Sequence, residues 1–208
     1  MGAAARGVDV RAPLRHPRLL WSAALLVGLA ELAVAALALR PNVDARYRAY
    51  YIDHSSDCWP HQTDGRYALS TTLTFVRGPG IGYSRNKICG WFYTNARGTW
   101  SYGRLSLLRF VFPPVSAPLT LRVAAGAMVD KAHPLQHVVV SANGTALGTL
   151  MFDSLEPAER TLTIPAEVAA SGEIDLRFEY PDARPGTELG PNEDPHLRAL
   201  RMVSLRLG

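Results

Sequence analysis

Lysine is nearly absent from this 208-residue chain, standing only at positions 87 and 131, and cysteine is limited to Cys58 and Cys89. Neither cysteine has a second Cys at ligand spacing, which excludes the paired-cysteine pattern of a zinc finger or ribbon. No Gly-x-Ser-x-Gly occurs, so nucleophilic serine chemistry of the elbow type has no anchor. The six His, at 16, 54, 61, 133, 137 and 196, occur singly. His133 and His137 are four apart, but in a loop-to-strand stretch this spacing does not put them on one helical face. The formal charge is +4, half of it within the first 39 residues, and the remainder is diluted along the chain. That excludes the concentrated basic stripe a nucleic-acid surface needs. What is plentiful is Gly (17) and Pro (15), which together with the shortage of Lys points to a turn-rich β domain. With 48% hydrophobic residues the chain buries one core and hardly two.

One long apolar run exists. Leu19 to Leu39 carries a single charge, Glu31, and its length at about 1.5 Å per residue matches a hydrocarbon core of about 30 Å. The expected organisation is a cytoplasmic tail over 1–18, a transmembrane helix over 19–39, a membrane-proximal linker over 40–65 and an extracytoplasmic sandwich over 66–208. Arg6, Arg11, Arg15 and Arg18 place the N-terminus in the cytoplasm, against a weaker opposing pull from Arg40, Arg46 and Arg48. Arg40-Pro41 ends the helix. A cleaved signal peptide is the competing reading, with Ala36-Leu37-Ala38 as the cleavage motif. The run exceeds the roughly 7–15 apolar residues of such peptides, so a retained single-pass anchor in the cytoplasmic membrane is expected. Trp21 suits the interfacial aromatic belt. Glu31 reads first as a tolerated, protonated carboxyl and second as a contact with a partner membrane helix. Tyr47, Tyr50 and Tyr51, with Arg46 and Arg48, read as a juxtamembrane stretch rather than a ligand groove.

Cys58 and Cys89 form one disulfide where the domain lies outside the cytoplasm and remain buried thiols where it does not. The closed loop of about thirty residues would contribute about 3 kcal/mol.

From Arg66 onward the pattern has period two. Strands are expected over Tyr67–Phe75, from Cys89 to Phe92, over Leu105–Phe112, around Leu119 to Val123, over Gln136–Ala142, over Leu147–Phe152, at Leu162 to Ile164, over Ile174–Tyr180 and over Leu197–Leu207. Asn143-Gly144 is a strong hairpin signal. Asn143-Gly144-Thr145 also matches a glycosylation sequon, but a two-residue turn needs Asn-Gly whatever the biology. About nine strands and no soluble helix predict an all-β, antiparallel, jelly-roll-type sandwich behind one N-terminal transmembrane helix. Gly78 to Gly82 lacks a following Lys-Ser/Thr and a helix, so it is no phosphate cradle.

The chain is organised around Gly90-Trp91-Phe92-Tyr93-Thr94-Asn95-Ala96-Arg97-Gly98-Thr99-Trp100-Ser101-Tyr102-Gly103. Aromatic rings beside planar polar groups hold sugars, and they also close the end of a sandwich core. The expected ligand-binding residues are Trp91, Tyr93, Asn95, Arg97, Trp100 and Tyr102. The two tryptophans serve equally well as core lids, which leaves Tyr93, Asn95, Arg97 and Tyr102 as the members that meet a ligand. Glu188, Glu193 and Asp194 are the only dense acids. Glycoside hydrolysis needs two carboxylates converging in a cleft, whereas these share one loop. With Asn192 they could offer oxygen to Ca²⁺, but solvated loop acids are the simpler account. No catalytic residue, metal site or cofactor is expected.

Two blocks carry a family resemblance: Gly90-Trp91 through Gly98-Thr99-Trp100-Ser101-Tyr102-Gly103 into Leu108-Arg109-Phe110, and Pro185 through Glu188-Leu189-Gly190 and Asp194-Pro195 to Leu200. With the hairpin Val138 to Gly144 between them, residues 85–207 resemble jelly-roll, carbohydrate-binding-module-like domains. These stand on the periplasmic side of bacterial membrane proteins of glycan assembly, often appended to membrane glycosyltransferases. The resemblance implies a periplasmic accessory module recognising a glycan or lipid-linked sugar, with a membrane glycosyltransferase as partner. The alternative role is a non-catalytic scaffold docking on such a transferase. This chain departs from the family pattern at Asn95 and Tyr102, where an acid often stands, and at Arg97, where an aromatic does. Those departures imply an altered ligand or none.

Overall fold

The computed structural model describes residues 17–38, 43–44, 47–48, 51, 58–59, 62–190, 193 and 195–208. The expectations for the 1–16 tail, for Tyr50, and for Asn192 and Asp194 lie outside the described residues. The chain divides into two compact units, Met1–Asp44 and Ala45–Gly208.

In the first unit, α1 spans Pro17–Ala38. Leu20–Ala38 is long and apolar enough to cross a membrane, a property that a signal sequence near an N-terminus shares. From Leu20 onward its leucines and valines, with Trp21, are exposed within the unit.

The second unit is an antiparallel β-sandwich. Its strands, in chain order, are β1 (Thr72–Thr74), β2 (Ile81–Gly82), β3 (Lys87–Cys89), β4 (Thr99–Trp100), β5 (Leu105–Val111), β6 (Leu119–Ala127), β7 (Gln136–Ala142), β8 (Thr145–Phe152) and β9 (Ala158–Ile164). After the short helix α2 (Ala166–Ala169) come β10 (Glu173–Glu179), β11 (Arg184–Pro185), β12 (Leu197–Arg198) and β13 (Leu200–Leu207). One sheet has the order β2-β1-β13-β6-β9, with β4 also paired to β13, and the other β3-β5-β10-β7-β8. Parallel pairing among these strands is confined to β1 with β2. From β2 to β10 the chain changes sheet after every strand except β7, then passes through a separate two-stranded β11-β12 ribbon before β13, which is the jelly-roll manner of leaving few local hairpins.

Side-chain alternation explains the layers. Along β5, Leu108 and Phe110 turn inward while Leu107, Arg109 and Val111 are half-buried. On β10, Ile174, Leu176 and Phe178 are fully buried, and on β7 Val138, Val140 and Ala142. From the facing sheet, Leu121, Val123 and Ala125 of β6 and Leu200, Met202, Leu205 and Leu207 of β13 complete the core. On the outer face of the second sheet, Arg109 grips Asp175 through two 2.7 Å bonds directly across the strand pair.

Three strand expectations change. The strand expected over Tyr67–Phe75 is reduced to Thr72–Thr74, because Ser70 adopts φ 68° and Tyr67 spends its hydroxyl on the Thr71 carbonyl and the Leu207 N–H. The strand expected from Cys89 to Phe92 stops at Cys89, where Gly90 turns the chain. The last strand is split at Ala199, whose N–H turns aside to the Ser101 hydroxyl oxygen.

The β7–β8 turn holds Asn143 at φ 48° and Gly144 at φ 83°, as a two-residue hairpin requires. The Asn143 amide donates to the Glu173 carbonyl at 2.7 Å and its Oδ1 accepts from the Asp175 N–H at 2.8 Å. The nitrogen a glycan would need is therefore engaged in joining this turn to β10. Asn143→Ala is expected to lose both bonds and strain a positive φ, lowering stability by about 1–2 kcal/mol, read from the unfolding midpoint.

Candidate functional site: an aromatic ledge on the Trp91–Ser101 hairpin

Cys89 is joined to Cys58 by a disulfide, with the two Cα atoms 5.0 Å apart. Immediately afterwards Gly90 takes φ 77°, and a Cβ there would lie 2.0 Å from the Leu105 carbonyl oxygen. No side chain fits, and the chain is free to leave the sheet edge. It then runs out and back as a hairpin: Trp91 bridges Ser101, the Phe92 N–H donates to the Trp100 carbonyl at 2.9 Å, and the Asn95 N–H donates to the Gly98 carbonyl at 3.1 Å. The return arm contains β4, which lies on β13 beyond the end of β1.

The hairpin has two chemically different sides. Trp91 turns inward and is 5% exposed, packed against Phe75, Tyr83 and Phe178, with its indole N–H donating to the Leu107 carbonyl at 3.2 Å. Ser101, opposite, is fully buried, and its hydroxyl oxygen accepts the N–H groups of Ala199 and Leu200. Thr99 is also inside, donating to the Phe75 carbonyl at 2.6 Å.

The other side carries Phe92, Trp100 and Tyr102, all half-buried, and Tyr93, 80% exposed. The Phe92 and Tyr102 rings are near-parallel at 5.6 Å, and Tyr102 stacks in turn on His196 at 4.4 Å. Tyr93 stands edge-on to Phe92 at 5.0 Å. Lys87, Trp91, Phe92, Tyr93 and Tyr102 line a hollow of about 300 Å³ beside this ledge, a size at the small end for ligand sites.

The remaining expected site residues fall elsewhere. Asn95 and Arg97 form the tip: the Asn95 Oδ1 accepts the Arg97 N–H at 2.8 Å and the Asn95 carbonyl accepts the Arg77 N–H at 2.8 Å. Both are exposed, and neither lines the hollow. Trp100 lies against Arg201, whose guanidinium is 5.7 Å from its ring centre. Four residues the sequence did not single out belong to the ledge: Phe92, His196, Lys87 and Arg198. The guanidinium of Arg198 sits 3.8 Å over the Phe92 ring. Burial lowers the pKa of Lys87 from the ordinary lysine value.

Of the loop acids, Glu188 is committed to Arg184 at 2.7 Å, in a cluster that also holds Asp130 at 2.7 Å. The Arg184 guanidinium holds the Asp130 carboxylate down to about 2. The described residues contain no group of three metal-ligating side chains.

No protein-family model matches the chain, and no curated protein matches it. Solved structures do resemble it in chain course. The CBM36-1 domain of a multidomain xylanase from the hindgut metagenome of Trinervitermes trinervoides is 14% identical, with 66% of this chain and 95% of that chain covered and a TM-score of 0.38. A CBM36 carbohydrate-binding module in complex with calcium and xylotriose is 10% identical over 73% of this chain and 94% of that one, with a TM-score of 0.37. The ANXUR2 extracellular domain from Arabidopsis thaliana is 12% identical over 67% of this chain, but that match covers only 39% of the plant domain, with a TM-score of 0.35.

Proposed function

We propose that the sandwich is a non-catalytic sugar-binding module, held at the extracytoplasmic face of the membrane by α1 as an accessory to glycan assembly. The observation that carries this reading is the partly exposed ring set Phe92, Tyr93 and Tyr102 around the hollow of about 300 Å³. Sugar rings present C–H faces to aromatic faces, and polar groups at the margin, here Lys87 and the Tyr93 and Tyr102 hydroxyls, meet the sugar's own hydroxyls. Tyr93, at 80% exposure, pays nothing in burial to reach a ligand. Trp91 supports the ledge from beneath, while Asn95 and Arg97 act through a longer ligand that reaches the hairpin tip. The disulfide and the apolar span favour an oxidising compartment outside the cytoplasm.

The partner consistent with this role is a membrane glycosyltransferase handling a lipid-linked sugar. Glu31, on the same face of α1 as Ala24, Gly28 and Ala35, is the residue through which α1 would meet its membrane helix. The direct test is a titration of the full chain, in lipid nanodiscs free of sugar detergent, against a glycan array. Saturable binding to a subset of glycans is the expected result, and an array without a saturable response would contradict the proposal.

A further inference from the structure

Among the described residues, two cations at the ledge have no counter-ion. Arg198 is 1% exposed, yet its Nε and Nη2 have no hydrogen-bond partner. The ion pairs among the described residues include neither Arg198 nor Lys87. An arginine keeps its charge under all ordinary conditions, so a permanent positive charge is buried here against the face of Phe92, with no acid paired to it among the described residues. Burying an unpaired charge is costly, and orphaned donors add to that cost. Elsewhere the protein solves the same problem with acids: Arg184, also largely buried, holds both Asp130 and Glu188.

Position gives the orphaned charge a direction. Phe92 has Arg198 over its ring, is stacked on Tyr102, and lines the hollow. Lys87 reaches the same hollow from β3. Nearby, Arg201 is 8% exposed, donates to the Leu155 carbonyl and leaves its Nε unpartnered. Glu156 is the acid that acts on Arg201, opposed by Arg97. The ledge therefore has a positive potential in a partly dry setting, where charge acts over a longer reach than in water.

We infer that the ligand of this hollow is an anionic sugar, carrying a carboxylate or a phosphate, with the ring on Phe92, Tyr93 and Tyr102 and the anion toward Lys87 and the field of Arg198. This rests on the sugar-binding reading above and narrows its substrate class. Lys87 makes the direct contact. Arg198 acts from behind Phe92 as a fixed charge.

The test uses the full chain in phosphatidylcholine nanodiscs and an array of neutral, uronate-bearing and phosphate-bearing glycans. At low salt, an anionic glycan is expected to bind at least tenfold tighter than its neutral counterpart. That ratio shrinks as salt is raised to about 0.2 M, where the screening length falls below about 10 Å. Lys87→Gln brings the ratio toward one. Arg198→Met, which keeps an apolar stem on Phe92, lowers it as well, with near-ultraviolet circular dichroism reporting that each variant is folded. The uronate and phosphate arms identify the source of the anion. Binding to neutral glycans alone, or a preference that survives both substitutions, overturns the inference and leaves the sugar reading standing. Binding to no glycan overturns both.

Discussion

Trp91→Ala is expected to lower the unfolding free energy of the sandwich by about 4 kcal/mol, among the larger effects a single substitution here can have. Three terms act together. The indole is 5% exposed and touches three aromatic rings, Phe75 just past β1, Tyr83 in the turn between β2 and β3, and Phe178 on β10. Its removal leaves a cavity between those rings that rigid neighbours fill poorly. It also leaves the Leu107 carbonyl without the indole N–H that it accepts at 3.2 Å. Denaturant unfolding followed by near-ultraviolet circular dichroism measures the loss. Trp91→Phe keeps the ring contacts and forfeits the hydrogen bond, so it should cost roughly 1–2 kcal/mol. A Trp91→Ala protein of unchanged stability would mean that the hairpin does not close the core.

Removing the disulfide is expected to cost about 3–4 kcal/mol, through the entropy regained by the unfolded chain when its closed loop opens. The cysteines are 31 positions apart, which sets the size of that loop. Cys58→Ala with Cys89→Ala should show this loss in an equilibrium unfolding curve, and reductant should reproduce it on the native protein. The effect reaches the ledge, since Cys89 is two residues from Lys87 and directly precedes Gly90. On the other side, Trp59 follows Cys58 and packs on Tyr51 at 5.4 Å and Tyr47 at 6.2 Å. Loss of the bond should therefore also alter Trp59 fluorescence before global unfolding. A change below about 1 kcal/mol would indicate that the unfolded chain stays compact without the bond.

Much of the sandwich was legible because period-two burial is a local property. Leu108 and Phe110, Val138 and Val140, and Ile174, Leu176 and Phe178 declare their inward face by spacing alone, and Asn143-Gly144 declares its turn through a backbone demand few other residue pairs meet. The ends of strands were less legible, because distant groups set them. Tyr67 delays the start of its strand to Thr72 by bonding the Leu207 N–H, 140 residues away, and no local pattern contains that bond. At the site, the aromatic stretch was visible and its division into two sides was not. Trp91 and Tyr93 are both large aromatics separated by one position, which in a regular strand would place them together. The hairpin loses its regular ladder beyond Phe92, so Trp91 goes in and Tyr93 goes out. Phe92, read through the strand alternation, was recoverable as the partner of Tyr102. Arg198 was not, for its place over Phe92 depends on β12 returning along the Ser101–Gly103 segment, where the Gly103 N–H meets the Leu197 carbonyl. Glu188 was legible as an acid and not as a partner of Arg184, four residues earlier.

In the proposed function, one hairpin holds the core with its inner side and a sugar with its outer side. Tyr93→Ala tests it most directly, with ligand affinity and unfolding free energy measured on the same full-chain preparation. Affinity for the best array glycan is expected to fall about tenfold or more, with stability within about 0.5 kcal/mol of the parent protein. Unchanged affinity, or a loss of affinity that only follows a loss of stability, would contradict it.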